Sequence, residues 1–128
     1  MEAVLDTSGW YAFVLKRDKF HELAVKFLNS RPYLVLPYPV LEELIALLHH
    51  REGKQLTIKI IDKLRNSQAV KIVHFDEEKE KQIWEHYKNI GRQIDYVDAA
   101  VIFLAQKLDL PVFGFDKHFK NLRLKLIP

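Results

Sequence analysis

The chain has 128 residues, 48% hydrophobic and 29% charged, which is typical of one globular domain rather than a disordered chain, and we expect a single domain over residues 1–128. The absence of cysteine excludes disulfides and thiolate metal sites, while a net charge of +3 does not by itself identify a partner. No apolar run reaches about 18 residues, and the start "MEAVLD" lacks a signal pattern, so we expect a cytoplasmic protein outside the membrane.

The first half of the chain alternates short apolar runs with helical patterns. In chain order, these predict a strand over residues 2–5, helices over 8–16 and 20–29, a strand over 33–36, and helices over 39 to about 52 and 56–65. Ser8 suits the N-cap of the first helix, Pro39 suits the first turn of the third, and Gly53 ends that third helix.

The second half continues the alternation. It predicts a strand over residues 70–73, a helix from Asp76 to about 89, a helix within 94–108, a strand over 111–115 and an alternating edge strand over 122–127. Because parallel strands need helical crossovers, this order predicts an α/β fold. We expect a three-layer sandwich in which helices flank a mainly parallel sheet.

The last predicted helix, in "IDYVDAAVIFLAQKL", begins with two carboxylates although most of its residues are apolar. Asp95 stands three residues before Asp98, as an N-cap stands to position N3, so Asp95 can serve the helix by accepting backbone N–H bonds. Asp98 is also favoured by the helix dipole, and its spacing to Val101 and Ile102 places it beside the buried face. For either aspartate alone, a structural role is the stronger interpretation.

Acidic residues fall where strands end or where the following helices begin. Asp6 ends the first predicted strand, Asp116 ends the fourth, and Glu43 (or Glu42) lies early in the helix after the second. In parallel α/β sheets these positions share the edge where ligands bind. We therefore expect Asp6, Asp116, one of the two glutamates and Asp98 to converge.

A cluster of carboxylates indicates a bound cation. Neighbouring carboxylates repel one another and raise each other's pKa, so a fold that keeps four of them needs a compensating charge. Oxygen ligands suit Mg²⁺ or Mn²⁺, and two such ions about 4 Å apart can promote phosphodiester cleavage. The sequence therefore predicts a divalent metal site at this edge of the sheet.

Three blocks of sequence carry a resemblance to a known family: "VLDTSGWYAFV", "LVLPYPVLEELIALL" and "DYVDAAVIFLAQKLDLPVFGFDKHF". In this order they resemble the PIN-domain ribonucleases, particularly the VapC-type toxins of toxin–antitoxin pairs. The resemblance implies that the family's four acids, which would be both catalytic and metal-binding, fall on Asp6, Glu43, Asp98 and Asp116.

The resemblance implies a metal-dependent endoribonuclease that hydrolyses RNA phosphodiester bonds with Mg²⁺ or Mn²⁺ and without a nucleophilic side chain. It also implies a toxin that is held by a small antitoxin protein and that forms a homodimer. One position departs from the family: a hydroxyl residue often stands two positions before the last acid, where this chain has Gly114. Thr7 or Ser8 would then supply a hydroxyl near Asp6.

Outside the predicted metal ligands, 20 basic residues stand against 13 of the 17 acidic ones, which favours a surface that contacts an RNA backbone. The candidate phosphate contacts are Lys16, Arg17, Lys117, His118 and Lys120. The alternative function is a PIN-like module that no longer cleaves and that holds RNA or a protein. A phosphatase or receiver-like domain built on Asp6 fits poorly, because it has no use for Glu43 and Asp98 together.

Overall fold

The structure is a computed structural model that describes residues 2–115 and 126–127. Its strands are β1 (Ala3–Leu5), β2 (Leu34–Pro37), β3 (Val70–Val73), β4 (Val112–Phe113) and β5 (Leu126–Ile127). Its helices are α1 (Thr7–Val14), α2 (His21–Leu28), α3 (Tyr38–Glu52), α4 (Lys54–Asn66), α5 (Glu77–Asn89) and α6 (Tyr96–Leu108). In the described ranges, no helix has the length and apolar character needed to cross a membrane.

The strands form one sheet in the order β3-β2-β1-β4-β5, and every described pairing is parallel. Val4 of β1 pairs with Val35 of β2 on one side and with Val112 of β4 on the other, which fixes β1 at the centre. Helices connect the first four strands as crossovers, as parallel pairing requires. The predicted α/β sandwich with a parallel sheet is therefore confirmed.

The core lies along the central strands and the last helix. Every residue of β1 and β2 is buried, as expected of parallel strands that are covered on both faces. Helix α6 is apolar around most of its circumference and buries six residues: Ala99, Ala100, Val101, Ile102, Leu104 and Ala105. The two carboxylates of α6, Asp95 and Asp98, stand at the N-terminal end of this buried stretch.

Two of the three predicted N-caps are confirmed, and one is wrong. Asp76 caps α5 by accepting a hydrogen bond from the backbone N–H of Lys79 at 2.8 Å, and Asp95 caps α6. The N-cap of α1 is Asp6 rather than Ser8, because the chain is still extended at Asp6 and its carboxylate accepts the Gly9 N–H. Helix α1 consequently begins at Thr7, directly after β1.

Candidate active site

Three of the four predicted acids lie on the wall of one cavity of about 370 Å³, which we call the acid cavity. Asp6 reaches it from the end of β1, Glu43 from the second turn of α3, and Asp98 from the first turn of α6. These positions are far apart in sequence, and they meet because strand ends and helix starts share an edge of a parallel sheet. Asp116, the fourth predicted acid, lies outside the described residues.

Asp6 is the most enclosed of these acids, with only 3% of its surface exposed. Its Oδ1 atom accepts hydrogen bonds from the Ser8 hydroxyl at 2.7 Å and from the Gly9 backbone N–H at 2.8 Å. The Ser8 oxygen also accepts the Phe115 backbone N–H at 2.8 Å. Ser8 thus ties the carboxylate of the central strand to the segment that follows β4.

Gly114 makes room for the Asp6 carboxylate. A Cβ atom built at this position would overlap both carboxylate oxygens of Asp6. Of the two hydroxyl residues expected near Asp6, Ser8 donates a hydrogen bond to its carboxylate. A glycine is therefore required at position 114 if the Asp6 carboxylate is to keep its place. The hydroxyl that hydrogen-bonds this carboxylate belongs to Ser8, on α1.

Helix α3 decides between the two candidate glutamates. Glu43, Leu47 and Arg51 follow one another at intervals of four residues and all line the acid cavity, as residues on one helix face should. Glu42 instead lines a neighbouring cavity of about 730 Å³, which Glu43 also borders. Glu43 is therefore the glutamate that shares a cavity wall with Asp6.

The two carboxylates of α6 have different local roles. Asp95 accepts a hydrogen bond from the backbone N–H of Asp98 at 2.8 Å, which confirms its predicted role as the N-cap. Both aspartates line the acid cavity, but Asp95 is exposed whereas Asp98 is partly buried against the protein. Helix capping accounts for Asp95, whereas Asp98 lines the cavity without capping the helix.

The donor chemistry of the acid cavity fits a hard divalent cation. Carboxylates dominate its polar wall, and the buried Thr7 hydroxyl beside Asp6 has no hydrogen-bond partner among the described residues. Oxygen donors of this kind suit Mg²⁺ or Mn²⁺. Within residues 2–115 and 126–127, no three acidic or histidine side chains stand close enough together to hold a metal ion. Asp116, the other predicted ligand, is outside that range.

Two basic residues of the acid cavity, Lys19 and Arg51, were missed by the sequence analysis. The Arg51 guanidinium carbon lies 5.3 Å from the centroid of the buried Tyr11 ring, which holds the group at the cavity. The eight-residue spacing from Glu43 to Arg51 is a signal that could have identified Arg51. Lys19 lies in the loop between α1 and α2, and only the tertiary structure brings it to the acid cavity.

Two of the five predicted phosphate contacts lie away from the acid cavity. Lys16 and Arg17 line a third cavity, between α1 and α4, and Arg17 forms an ion pair with Glu52. Both residues follow the end of α1 at Val14 and share a cavity wall with Lys59 and Lys63 of α4, whereas Lys19, further along the same loop, lines the acid cavity. The other candidates, Lys117, His118 and Lys120, lie outside the described residues.

Comparison with known proteins gives a family match across nearly the whole chain. The model of the PIN domain family matches residues 3–125. No curated protein sequence matches the chain.

Several solved structures are similar in fold to this chain. The crystal structure of VapC20 from Mycobacterium tuberculosis, described as a toxin that cleaves the sarcin–ricin loop, has a TM-score of 0.84 and 26% identity, over 95% of both chains. FitAcB from Neisseria gonorrhoeae has a TM-score of 0.71 and 20% identity, over 100% of this chain and 97% of its own. VapBC2 from Rickettsia felis, bound to a promoter DNA fragment, has a TM-score of 0.71 and 16% identity, over 99% of this chain and 98% of its own.

Proposed function

The chain belongs to the PIN domain family, and from this premise we propose that it is a metal-dependent endoribonuclease that hydrolyses RNA phosphodiester bonds. The observation that carries the proposal is the shared wall of Asp6, Glu43 and Asp98 in the acid cavity. Three carboxylates from three separate elements have no common structural task, since only Asp6 among them caps a helix. We propose that residues 1–128 act as a single nuclease domain.

We assign metal binding to Asp6, Glu43 and Asp98, with Asp116 as the fourth proposed ligand. These residues would hold a divalent ion, which would supply an activated water and stabilise the negative charge that develops on the phosphate. The Ser8 hydroxyl and the Gly9 N–H hold the Asp6 carboxylate in one orientation, so that ligand is positioned before any ion arrives. The Thr7 hydroxyl offers a further oxygen beside Asp6.

We assign phosphate binding to Arg51 and Lys19. Both line the acid cavity, where a substrate phosphate would have to lie. A guanidinium group can donate two parallel hydrogen bonds to phosphate oxygens, and the face of Tyr11 already restrains the Arg51 group. These cations offset the repulsion that the clustered carboxylates would otherwise exert on an RNA backbone.

We propose that the nuclease is the toxin of a toxin–antitoxin pair and that a small antitoxin protein holds it in the cell. The support is the likeness to VapC20, which is described as a toxin that cleaves the sarcin–ricin loop. The likeness to FitAcB and VapBC2 is a likeness of fold. A homodimer and a cytoplasmic location remain predictions from the sequence.

Metal dependence tests the proposed activity. Purified protein, freed of any bound antitoxin, should cleave RNA when Mg²⁺ or Mn²⁺ is added and should stop when excess EDTA removes the ion. Cleavage that continues undiminished in EDTA would rule out the metal mechanism. If neither ion supports cleavage of any RNA, the alternative is favoured, namely a PIN-like module that binds RNA or a protein without cutting.

Replacement of Arg51 by Ala should weaken RNA binding by about tenfold, because it removes a charged hydrogen-bonding contact to phosphate. The slope of log affinity against log salt should fall by about 0.7, the value for one lost phosphate contact on a single strand. Fluorescence anisotropy with labelled RNA in EDTA, at several salt concentrations, measures both quantities. Arg65→Ala is the matched control, since Arg65 is exposed at the end of α4 and does not line the acid cavity. Equal slopes for the two variants would place the phosphate elsewhere.

A further inference from the structure

A second cavity, of about 730 Å³, lies beside the acid cavity and shares Glu43 with it. We call it the side cavity. Its wall combines four aromatic rings with two further carboxylates, from Tyr38, His74, Phe75, Tyr96, Glu42 and Glu80. The volume is within the roughly 300–1,000 Å³ range of small-molecule sites. Nothing in the proposed hydrolysis uses these six side chains.

The aromatic residues of the side cavity are held by contacts with one another and with neighbouring rings. The rings of Tyr38 and His74 meet edge to face, with centroids 4.6 Å apart and planes at 90°. The Tyr96 ring packs against Tyr87 and Trp84 at centroid distances of 6.0 and 6.2 Å. Aromatic faces supported in this way are the surfaces on which unpaired RNA bases stack.

The carboxylate of Glu80 is exposed and lies on the wall of the side cavity. The Tyr96 hydroxyl donates a hydrogen bond to Oε2 of Glu80 at 2.7 Å. Burial, together with the hydrogen bond to Glu80 and the negative charge of Glu80, raises the pKa of Tyr96 to about 12. A carboxylate can only accept hydrogen bonds. Glu80 therefore presents an oriented acceptor beside the aromatic faces.

The chemistry of this wall selects what can enter. Three glutamates border the side cavity, and they would repel a phosphate, whereas a neutral aromatic base carries no such penalty. A carboxylate favours a base edge that offers adjacent donors, which guanine provides with its N1–H and its 2-amino group. Uracil places its single donor between two carbonyl oxygens, and a carboxylate would repel both.

We propose that the side cavity binds one unpaired guanine base of the RNA, stacked on the aromatic wall and hydrogen-bonded to Glu80. The base must be unpaired because this contact uses its Watson–Crick edge. Since Glu43 borders both cavities, a guanine bound here would lie next to the phosphate held in the acid cavity. The inference rests on the proposed function in taking RNA as the ligand, and it assigns the base preference to residues outside the proposed metal site.

Affinity measured in EDTA tests the proposal without any cleavage. The probes are a labelled short oligouridine and the same strand with one central guanosine or inosine. We expect the guanosine strand to bind about tenfold more tightly than oligouridine, which is the discrimination of a good two-bond contact to a base. Inosine lacks the 2-amino group and should fall between them.

Glu80→Gln replaces one of the two acceptor oxygens by an NH2 donor, and it should bring the affinities for the guanosine strand and oligouridine to within about twofold of each other. Glu78→Gln is the matched control, with the same charge change on the same helix at an exposed position outside the side cavity, and it should keep the tenfold ratio. The ratio of affinities is the readout because either substitution also lessens the general repulsion of RNA. Tyr96→Phe, which keeps the ring but releases Glu80, should lower the ratio as well.

The results separate this inference from the proposed nuclease. If the wild type cleaves RNA but binds both strands equally, or if Glu80→Gln keeps the tenfold ratio, the guanine site is wrong while the nuclease stands. If no RNA is cleaved but the ratio follows Glu80 as expected, the base site stands and the hydrolytic function is wrong.

Discussion

Replacement of Asp98 by Asn should remove nearly all nuclease activity, about a hundredfold or more, while the metal-free protein stays as stable as wild type or becomes more stable. Asn keeps the shape of the side chain and removes its charge. The loss of charge relieves repulsion from Asp6 and Glu43, which line the same cavity. The same change removes a proposed metal ligand, so the transition-state stabilisation that depends on the ion is lost.

The thermal stability of this variant gives a second, independent readout. A ligand that binds only the folded state at a hundred times its dissociation constant stabilises that state by about 2.7 kcal/mol. Wild type should therefore gain stability in Mn²⁺, and Asp98→Asn should lose most of that gain. Melting curves with EDTA and with Mn²⁺, together with cleavage rates, measure both effects.

Asp95→Asn is the matched control, because it makes the same chemical change one helical turn away. Asp95 accepts the Asp98 backbone N–H, and Asn caps a helix as well as Asp does. Stability should hardly change, and most of the activity should survive. If Asp98→Asn unfolds the metal-free protein while Asp95→Asn abolishes cleavage, the roles assigned to these two aspartates are exchanged.

Replacement of Gly114 by Ala should lower both the stability and the activity, with cleavage reduced about a hundredfold. The added methyl group would overlap the Asp6 carboxylate, which must then rotate away. Rotation breaks its hydrogen bonds to Ser8 and Gly9, and so removes the N-cap of α1. Loss of a cap costs about 1–2 kcal/mol of unfolding free energy, and the displaced carboxylate can no longer serve as a ligand.

Gly91→Ala separates this steric effect from the general effect of losing a glycine. A Cβ atom at Gly91 meets no other atom within 4 Å. This variant should match wild type in melting temperature and in cleavage rate. If Gly114→Ala has the same melting temperature and cleavage rate as Gly91→Ala, then the Asp6 carboxylate has room to adjust. In that case the absence of a side chain at position 114 is not needed for activity.

The sequence by itself determined the features that depend on neighbouring residues. The third strand, Val70–Val73, has the bounds that its apolar run predicted. Asp76 and Asp95 cap their helices as predicted, because a capping carboxylate needs only a backbone N–H about three residues ahead. The alternation of strands and helices determined the α/β class, and with it the edge at which Asp6, Glu43 and Asp98 would meet.

The tertiary structure alone decided the contacts that join distant segments. The hydrogen bond from the Phe115 N–H to Ser8 spans 107 positions, and the overlap that makes Gly114 necessary involves Asp6, which follows a different strand. The order of the strands in the sheet and the position of Lys19 beside the acids also depend on contacts between distant segments. These features depend on how separate elements pack, and local patterns of propensity and capping do not contain that information. The sequence thus predicted which acids would meet, whereas packing determined that Ser8, Gly114 and the basic side chain of Lys19 lie beside Asp6, Glu43 and Asp98.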